Sequence, residues 1–222
     1  MNLCLFDLDH TLLPIDSDHA WGEFMITLGW VDAASFRSGN DAFYAEYLAG
    51  RLDIDAYIAF ATAPLRARSA FERREAHARF MREVIVPALR PPALELVESH
   101  RGRGDRLALV TSTNDFITAP IAAALAIETL IATRLELAGD GTPTGRIAGD
   151  AAFREGKVAR VGQWLAADGS GWRDFERISV YSDSLNDLAL LERATDPVAT
   201  NPSPDLAAVA RERGWRILNL FA

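Results

Sequence analysis

The sequence of 222 residues contains a single cysteine, Cys4, so no disulfide bond can form within the chain. Its apolar neighbours predict a packed core residue, because a free cysteine behaves as a small hydrophobic side chain. No apolar run reaches the roughly 18 residues that a membrane span needs. The N-terminus also lacks a basic region followed by an apolar run and a cleavage site. We therefore expect a cytoplasmic protein that does not contact a membrane.

Basic residues are also few. Lys and Arg number 23 against 31 Asp and Glu, which gives a formal net charge of -8. Phosphate backbones attract basic surfaces, so this balance argues against nucleic acid as a partner. A small phosphorylated molecule needs only a local positive site, and the charge balance is compatible with such a substrate.

Short apolar runs that alternate with helical patterns predict an α/β fold with a doubly wound parallel sheet. The runs with strand character are 3–7, 106–111, 177–182, 197–200 and 216–221, and the helical patterns between them are 114–126, 154–167 and 184–194. Parallel neighbours need right-handed helical crossovers, which cover both faces of the sheet. Two alternating runs around Gly139 to Gly141 predict a β-hairpin within 133–148.

Residues 14–88 break this alternation, because they contain amphipathic helical patterns and almost no strand signal. We therefore predict two domains. Residues 1–13 and 89–222 form the α/β core, and residues 14–88 form a helical domain inserted after the first strand.

Polar residues stand where the strands are predicted to end, which is where doubly wound sheets bind ligands. They are Asp7, Asp9, Thr111, Ser112 and Asp183, together with Lys157 near the start of a helix. Each alone is typical of a turn, a helix cap or a solvated surface. Together they suggest a site, because three unpaired carboxylates would repel one another and raise each other's pKa. A divalent cation removes that cost, and oxygen ligands without a His or Cys cluster favour Mg²⁺.

The remaining groups suit a phosphate. Thr111 and Ser112 offer hydroxyl and backbone N–H donors where the chain leads into a helix, and Lys157 offers a point charge. No Gly-x-x-x-x-Gly-Lys loop and no Gly-x-Gly-x-x-Gly turn occurs, which argues against a P-loop nucleotide site or a dinucleotide.

Four segments, "DLDHT", "LALVTS", "REGKV" and "SDSLND", follow one another in the order of the motifs of the haloacid dehalogenase (HAD) superfamily of phosphohydrolases. The chain resembles its subfamily IB, the phosphoserine-phosphatase-like branch. This resemblance implies a Rossmann-like core, a type 1 helical cap over residues 14–88, and a small phosphorylated metabolite enclosed beneath the cap.

The resemblance also implies a mechanism. Asp7 would be the nucleophile that forms an aspartyl-phosphate, and Asp9 the general acid and base. Mg²⁺ would be held by Asp7, the backbone carbonyl of Asp9 and Asp183. The phosphoryl oxygens would be bound by Thr111, the Ser112 N–H and Lys157, and the supporting residues would be Asn186 and Asp187.

The chain departs from phosphoserine phosphatases in the cap. Asp16 stands where their acid binds the substrate ammonium, and Ala61 aligns with the arginine that binds the substrate carboxylate. The approximate substitutes for that arginine are Arg51, Arg66 and Arg68. An amine-bearing phosphomonoester without a carboxylate, such as histidinol phosphate, therefore fits better, with His19 as a further candidate for substrate contact.

Three alternatives stay open. A phosphoserine phosphatase and a phosphotransferase would share the aspartyl-phosphate chemistry. A non-enzymatic phosphate-accepting module is disfavoured, because such modules lack a cap and do not need Asp9. His77 and His100 lie in polar helical surroundings, which predicts exposed side chains.

Overall fold

A computed structural model describes residues 1–221. Its main sheet has six strands in the order β3-β2-β1-β6-β7-β8, and every neighbouring pair is parallel. The strands are β1 Asn2–Phe6, β2 Arg106–Asn114, β3 Leu130–Thr133, β6 Arg177–Ser182, β7 Asp196–Thr200 and β8 Arg216–Leu218; β4 Leu135–Leu137 and β5 Pro143–Ile147 pair antiparallel as a separate hairpin. The predicted doubly wound sheet is confirmed, and the hairpin lies where it was predicted.

Helices cover both faces of this sheet. Between β1 and β2 run α1 Ser17–Thr27, α2 Ala33–Leu48, α3 Ile54–Arg66, α4 Ala70–Phe80, a π-helical turn Met81–Ile85, α5 Val86–Ala88 and α6 Pro91–Gly102. The later helices are α7 Asp115–Ala124, α8 Glu155–Ala167, α9 Leu188–Leu191 and α10 Pro204–Glu212, with short 3₁₀ turns at Trp172–Asp174 and Leu185–Asp187. None of these described helices is long and apolar enough to cross a membrane.

The first strand shows why the core has two layers. Successive side chains of a strand point to opposite faces, and here Leu3 and Leu5 join one buried cluster while Cys4 and Phe6 join the other. All four are at most 1% exposed, so the predicted packing of Cys4 is confirmed. Because β1 lies between β2 and β6, the chain order reverses there, and a crevice opens at its carboxyl end.

The helical segment after β1 is set up by short polar caps. The carboxylates of Asp16, Asp32 and Asp53 accept backbone N–H groups at the starts of α1, α2 and α3, and Ser69 forms a capping box with Glu72 at α4. Trp21 of α1 and Phe80 of α4 share a buried cluster with the core. The division of the chain at 14–88 stays a prediction.

Three local predictions were wrong. The edge strand β3 was missed, because its four residues follow an apolar helical pattern without a turn signal. Strand β2 extends to Asn114, where it pairs with Thr133, so Thr111 and Ser112 lie within the strand and not at the start of α7. The helix predicted over 184–194 is a 3₁₀ turn followed by only four α-helical residues.

Candidate active site

The carboxyl end of β1 opens into a cavity of about 750 Å³ between the sheet and helices α1 to α3. Its floor comes from strand ends and the start of α8, and its opposite wall comes from α1, α2 and α3. Of the predicted site residues, those that line it are Asp7, Asp9, Asp16, His19, Thr111, Ser112, Asp183 and Asn186. Lys157 and Asp187 lie behind this lining, each 2% exposed.

Lys157 connects two carboxylates of the floor. Its Nζ donates to Asp7 Oδ1 at 2.8 Å and to Asp187 Oδ2 at 2.7 Å, and the Ser182 hydroxyl also donates to Asp187 Oδ2 at 2.8 Å. Burial alone would lower the pKa of Lys157, but the charges of Asp187 and Asp7 outweigh it and raise that pKa. The amine is therefore a cation, and it is the only lysine in the chain.

Thr11 joins the two predicted metal-binding carboxylates. Its hydroxyl lies 3.1 Å from Asp7 Oδ2 and 3.4 Å from Asp183 Oδ1. Burial, followed by the charges of Asp7 and Asp187, raises the pKa of Asp183 to about 9. This is the behaviour of a carboxylate that lacks a cationic partner of its own.

Asp9 faces away from these two carboxylates. Its Oδ1 accepts the Ser17 backbone N–H at 2.7 Å, and its Oδ2 accepts the Thr113 hydroxyl at 2.8 Å. Among the described residues, no three His, Cys, Asp or Glu side chains are grouped as a metal site would need. The expected convergence of three carboxylates is therefore wrong for the side chain of Asp9, because hydrogen bonds from Ser17 of α1 and Thr113 of β2 hold both of its oxygens. Burial, followed by the charge of Asp16, raises the pKa of Asp9, which favours its protonated form.

The two supporting residues have different surroundings. Asp187 holds Lys157, as described above. Asn186 instead connects the floor to the helical wall, because its amide donates to the Tyr47 carbonyl at 3.3 Å and lies 3.5 Å from Arg154 Nε. These contacts do not include Lys157, and support of the metal by Asn186 stays a prediction.

On the wall, Asp16 caps α1 by accepting the His19 backbone N–H at 2.8 Å, and its carboxylate also lines the cavity. The His19 ring lies 3.2 Å from Asp41, at the exposed side of the wall. None of the three candidate arginines, Arg51, Arg66 and Arg68, lines the cavity.

Sequence reasoning missed several residues of this site. Thr113 binds Asp9, Arg154 lines the cavity, and Asn201 donates from Nδ2 to the carbonyls of His10 and Thr11 at 2.8 and 3.2 Å. His10 adopts φ +57°, so this turn depends on the Asn201 contact for support. A signal was present for Thr113, two residues after Thr111 on the same face of β2.

The two helical histidines were also wrongly predicted to be exposed. His77 and His100 are 8% and 2% exposed. His100 lies between Asp105 and the Tyr181 hydroxyl, both at 2.7 Å, whereas His77 contacts the Ile117 carbonyl at 3.3 Å. Their polar neighbours in the sequence face solvent, and the ring of each histidine faces the core.

Comparison with known proteins places this geometry in a family. The chain is 44% identical over 98% of both lengths to a histidinol-phosphatase of Neisseria meningitidis serogroup C (strain 8013). A solved structure of a protein with unknown function from Bordetella pertussis Tohama I is 48% identical, covers 99% of both chains and has a TM-score of 0.94. A substrate-bound phosphoserine phosphatase shares the fold, with a TM-score of 0.67, 18% identity, and coverage of 97% of this chain and 91% of that one.

The pattern of the family described as haloacid dehalogenase-like hydrolase matches residues 4–192, which include all four motifs. The predicted superfamily, fold and hydrolase class are confirmed. The chain belongs to the haloacid dehalogenase-like hydrolase family.

Proposed function

We propose that the protein is a Mg²⁺-dependent phosphatase that hydrolyses histidinol phosphate through an aspartyl-phosphate at Asp7. The observation that carries the choice of substrate is the chemistry of the helical wall. Its cavity-lining residues include two carboxylates, Asp16 and Asp18, and four aromatic rings, Phe43, Tyr44, Tyr47 and Tyr57. Such a wall suits a substrate that carries both an ammonium group and an aromatic ring.

The same wall argues against phosphoserine. A substrate carboxylate needs a cationic partner, and arginine is the usual one because its planar fork binds both oxygens. Within residues 1–221, Arg154 is the only arginine or lysine that lines the cavity, and it comes from the core beside the floor. Arg51, Arg66 and Arg68 point elsewhere. The 44% identity to a protein named histidinol-phosphatase supports the same choice.

The floor supplies the reacting groups. The Asp7 carboxylate would attack phosphorus while the protonated Asp9 gives its proton to the leaving alcohol, which suits the raised pKa of Asp9. Asp9 would then take a proton from the water that hydrolyses the aspartyl-phosphate. Thr111, the Ser112 N–H and Lys157 would bind the phosphoryl oxygens.

The floor also fits a magnesium ion. Asp7 and Asp183 face the same Thr11 hydroxyl, and burial, followed by the charges of Asp7 and Asp187, raises the pKa of Asp183. A cation beside both carboxylates would offset that repulsion, and the Asp9 carbonyl would add a third hard oxygen ligand. Bound there, Mg²⁺ would offset the repulsion between the Asp7 carboxylate and the phosphate dianion. Lys157 positions Asp7, and Asp187 positions Lys157.

Steady-state kinetics with histidinol phosphate, phosphoserine and p-nitrophenyl phosphate test this function. We expect Mg²⁺-dependent turnover of all three, with kcat/KM for histidinol phosphate at least about tenfold above that for phosphoserine. Asp7→Asn should lower kcat by about a thousandfold or more on every substrate, because it removes the nucleophile. Full activity in Asp7→Asn would contradict the mechanism, and a preference for phosphoserine would contradict the substrate.

A further inference from the structure

Among the described residues of the helical wall that line the cavity, two have a buried polar atom without a hydrogen-bond partner. The atoms are Oδ1 of Asp18, an acceptor when ionised, and Nδ2 of Asn40, a donor. Asn40 is only 4% exposed, and both residues line the cavity. A buried polar group left unpaired is costly, so such pairs are rare in native proteins unless something else binds them.

The backbone brings these two residues together. Asp18 and Gly22 lie four residues apart on α1 and therefore share a face. A methyl group on Gly22 would lie 2.8 Å from Asn40 Nδ2 and 3.1 Å from the Phe36 ring. Glycine is thus needed for α2 to approach, and the Asn40 amide lies about one helical turn from Asp18.

Aromatic rings flank the pair. The Tyr57 hydroxyl lies against the Asp18 carboxyl group, and the Phe43 ring lies 5.3 Å from the Tyr57 ring. Tyr44 and Tyr47, also on α2, stack with their centroids 6.4 Å apart. A flat ring could lie against these surfaces while its edge meets polar atoms.

We propose that Asp18 and Asn40 form a subsite for the imidazole ring of the substrate. A neutral imidazole carries one N–H donor and one nitrogen acceptor. The N–H would donate to Asp18 Oδ1, and the other ring nitrogen would accept from Asn40 Nδ2, so that both unpaired atoms gain partners. This inference rests on the proposed function, and it leaves Asp16 to bind the ammonium group.

The electrostatics of Asp18 support this assignment. Burial, followed by the charge of Asp16, raises its pKa to about 7. The hydrogen bond from the Tyr57 hydroxyl lowers this pKa but does not offset burial and the charge of Asp16. Asp18 thus keeps one buried oxygen, Oδ1, without a partner among the described residues.

The test compares two amino phosphates, of which only one carries the ring. We would measure kcat/KM for histidinol phosphate and for phosphoethanolamine in wild type, Asp18→Asn, Asn40→Leu, Asp16→Ala and the control Asp55→Asn. Asp55 is exposed in the first turn of α3 and does not line the cavity. Asn40→Leu should lower the ratio of the two constants by about tenfold to a hundredfold, because it removes the donor to one ring nitrogen. Asp18→Asn should lower the ratio by about tenfold, because an amide oxygen is a weaker acceptor for the ring N–H than a carboxylate.

Asp16→Ala should instead lower both constants together, and Asp55→Asn should keep the wild-type ratio. Ratios at the wild-type level in both Asp18→Asn and Asn40→Leu, with melting temperatures no lower than that of wild type, would overturn the subsite while the proposed function stands. A wild-type enzyme that does not prefer histidinol phosphate to phosphoethanolamine would overturn the proposed function and the subsite with it. Two variants on separate helices keep the test decisive should one of them fail to fold.

Discussion

The floor and the helical wall of the cavity differ in how their polar atoms are paired. On the floor, Lys157 bonds two carboxylates and Thr11 bridges two, so the reacting groups hold one another in place. On the wall, Asp18 Oδ1 and Asn40 Nδ2 have no partner among the described residues; His10 Nε2 and Asp187 Oδ1 beside the floor also have none, but neither belongs to Asp7, Asp9 or Asp183. A site arranged before its substrate arrives spends less binding energy on reorganisation. We therefore expect the floor to carry chemistry common to phosphate esters and the wall to select among them.

The two regions also rest on different backbone supports. Asp7 ends a central strand paired on both sides, and its own N–H donates to the Tyr181 carbonyl at 2.9 Å. The wall is made of helices, and contacts such as Asn186 to the Tyr47 carbonyl connect it to the floor. Changes to the floor should therefore affect both stability and turnover, whereas changes to the wall should affect substrate choice.

The largest effect on stability should follow from Lys157→Met, which would remove the contacts of Lys157 with Asp7 and Asp187. Removal of the Lys157 cation leaves the buried carboxylates of Asp7 and Asp187 without the counter-charge that both contact. We expect the free energy of unfolding at pH 7.5 without Mg²⁺ to fall by about 3–5 kcal/mol, with loss of turnover. Urea unfolding followed by circular dichroism measures this. Lys157→Met with Asp187→Asn should recover part of the loss, and a fall below about 1 kcal/mol would show that the pairing is not needed for stability.

A smaller effect, of opposite sign, is expected on the wall from Asp18→Asn. The pKa of Asp18 is raised in the folded protein to about 7, so the folded state binds its proton more tightly than the unfolded state does. The wild type therefore loses stability as pH rises from about 4 to 7. Asp18→Asn should be more stable than wild type at pH 8 by about 1–3 kcal/mol, and nearly equal at pH 4. Thermal or urea unfolding at the two pH values tests this prediction. A difference in stability between variant and wild type that is equal at both pH values would contradict the raised pKa of Asp18.

The smallest effect on stability should come from Asn201→Ala, which removes contacts with the turn after β1 and none with the helical wall. Loss of two hydrogen bonds to the His10 and Thr11 carbonyls should cost about 1–2 kcal/mol of stability. We expect a lower kcat with nearly unchanged selectivity between histidinol phosphate and phosphoethanolamine. A changed ratio would mean that the floor also takes part in substrate choice.

More residues of the floor than of the wall could be predicted from the sequence, because the floor residues are close together in the sequence or stand at strand ends. A buried apolar run followed by Asp-x-Asp is visible in any window of ten residues, and parallel strands bring their ends to one edge. The wall depends on which helix face meets which, and amphipathic patterns over 14–88 do not specify that. No sequence pattern therefore marks Asp18 and Asn40 as cavity residues, because a carboxylate or an amide on a helix is usually exposed.

Some errors have a different origin. The contact of Asp9 with Thr113 and the burial of His100 against Tyr181 depend on partners 104 and 81 residues away in the sequence. Arg154 enters the cavity from a loop residue with φ +53°, and a methyl group on Gly50 would lie 2.5 Å from its Nη2. Such contacts arise only when the chain is folded, so no sequence window contains them.

By itself, the sequence determined the family, the doubly wound sheet and the acidic residues that line the cavity at the strand ends, because strand periodicity and closely spaced motifs are short-range properties. Tertiary structure alone decided that Asp9 turns from the other two carboxylates, that Asn186 reaches the wall, and that Asp18 and Asn40 share a cavity. These arrangements depend on distances between residues far apart along the chain, which only the packing of helices against the sheet sets.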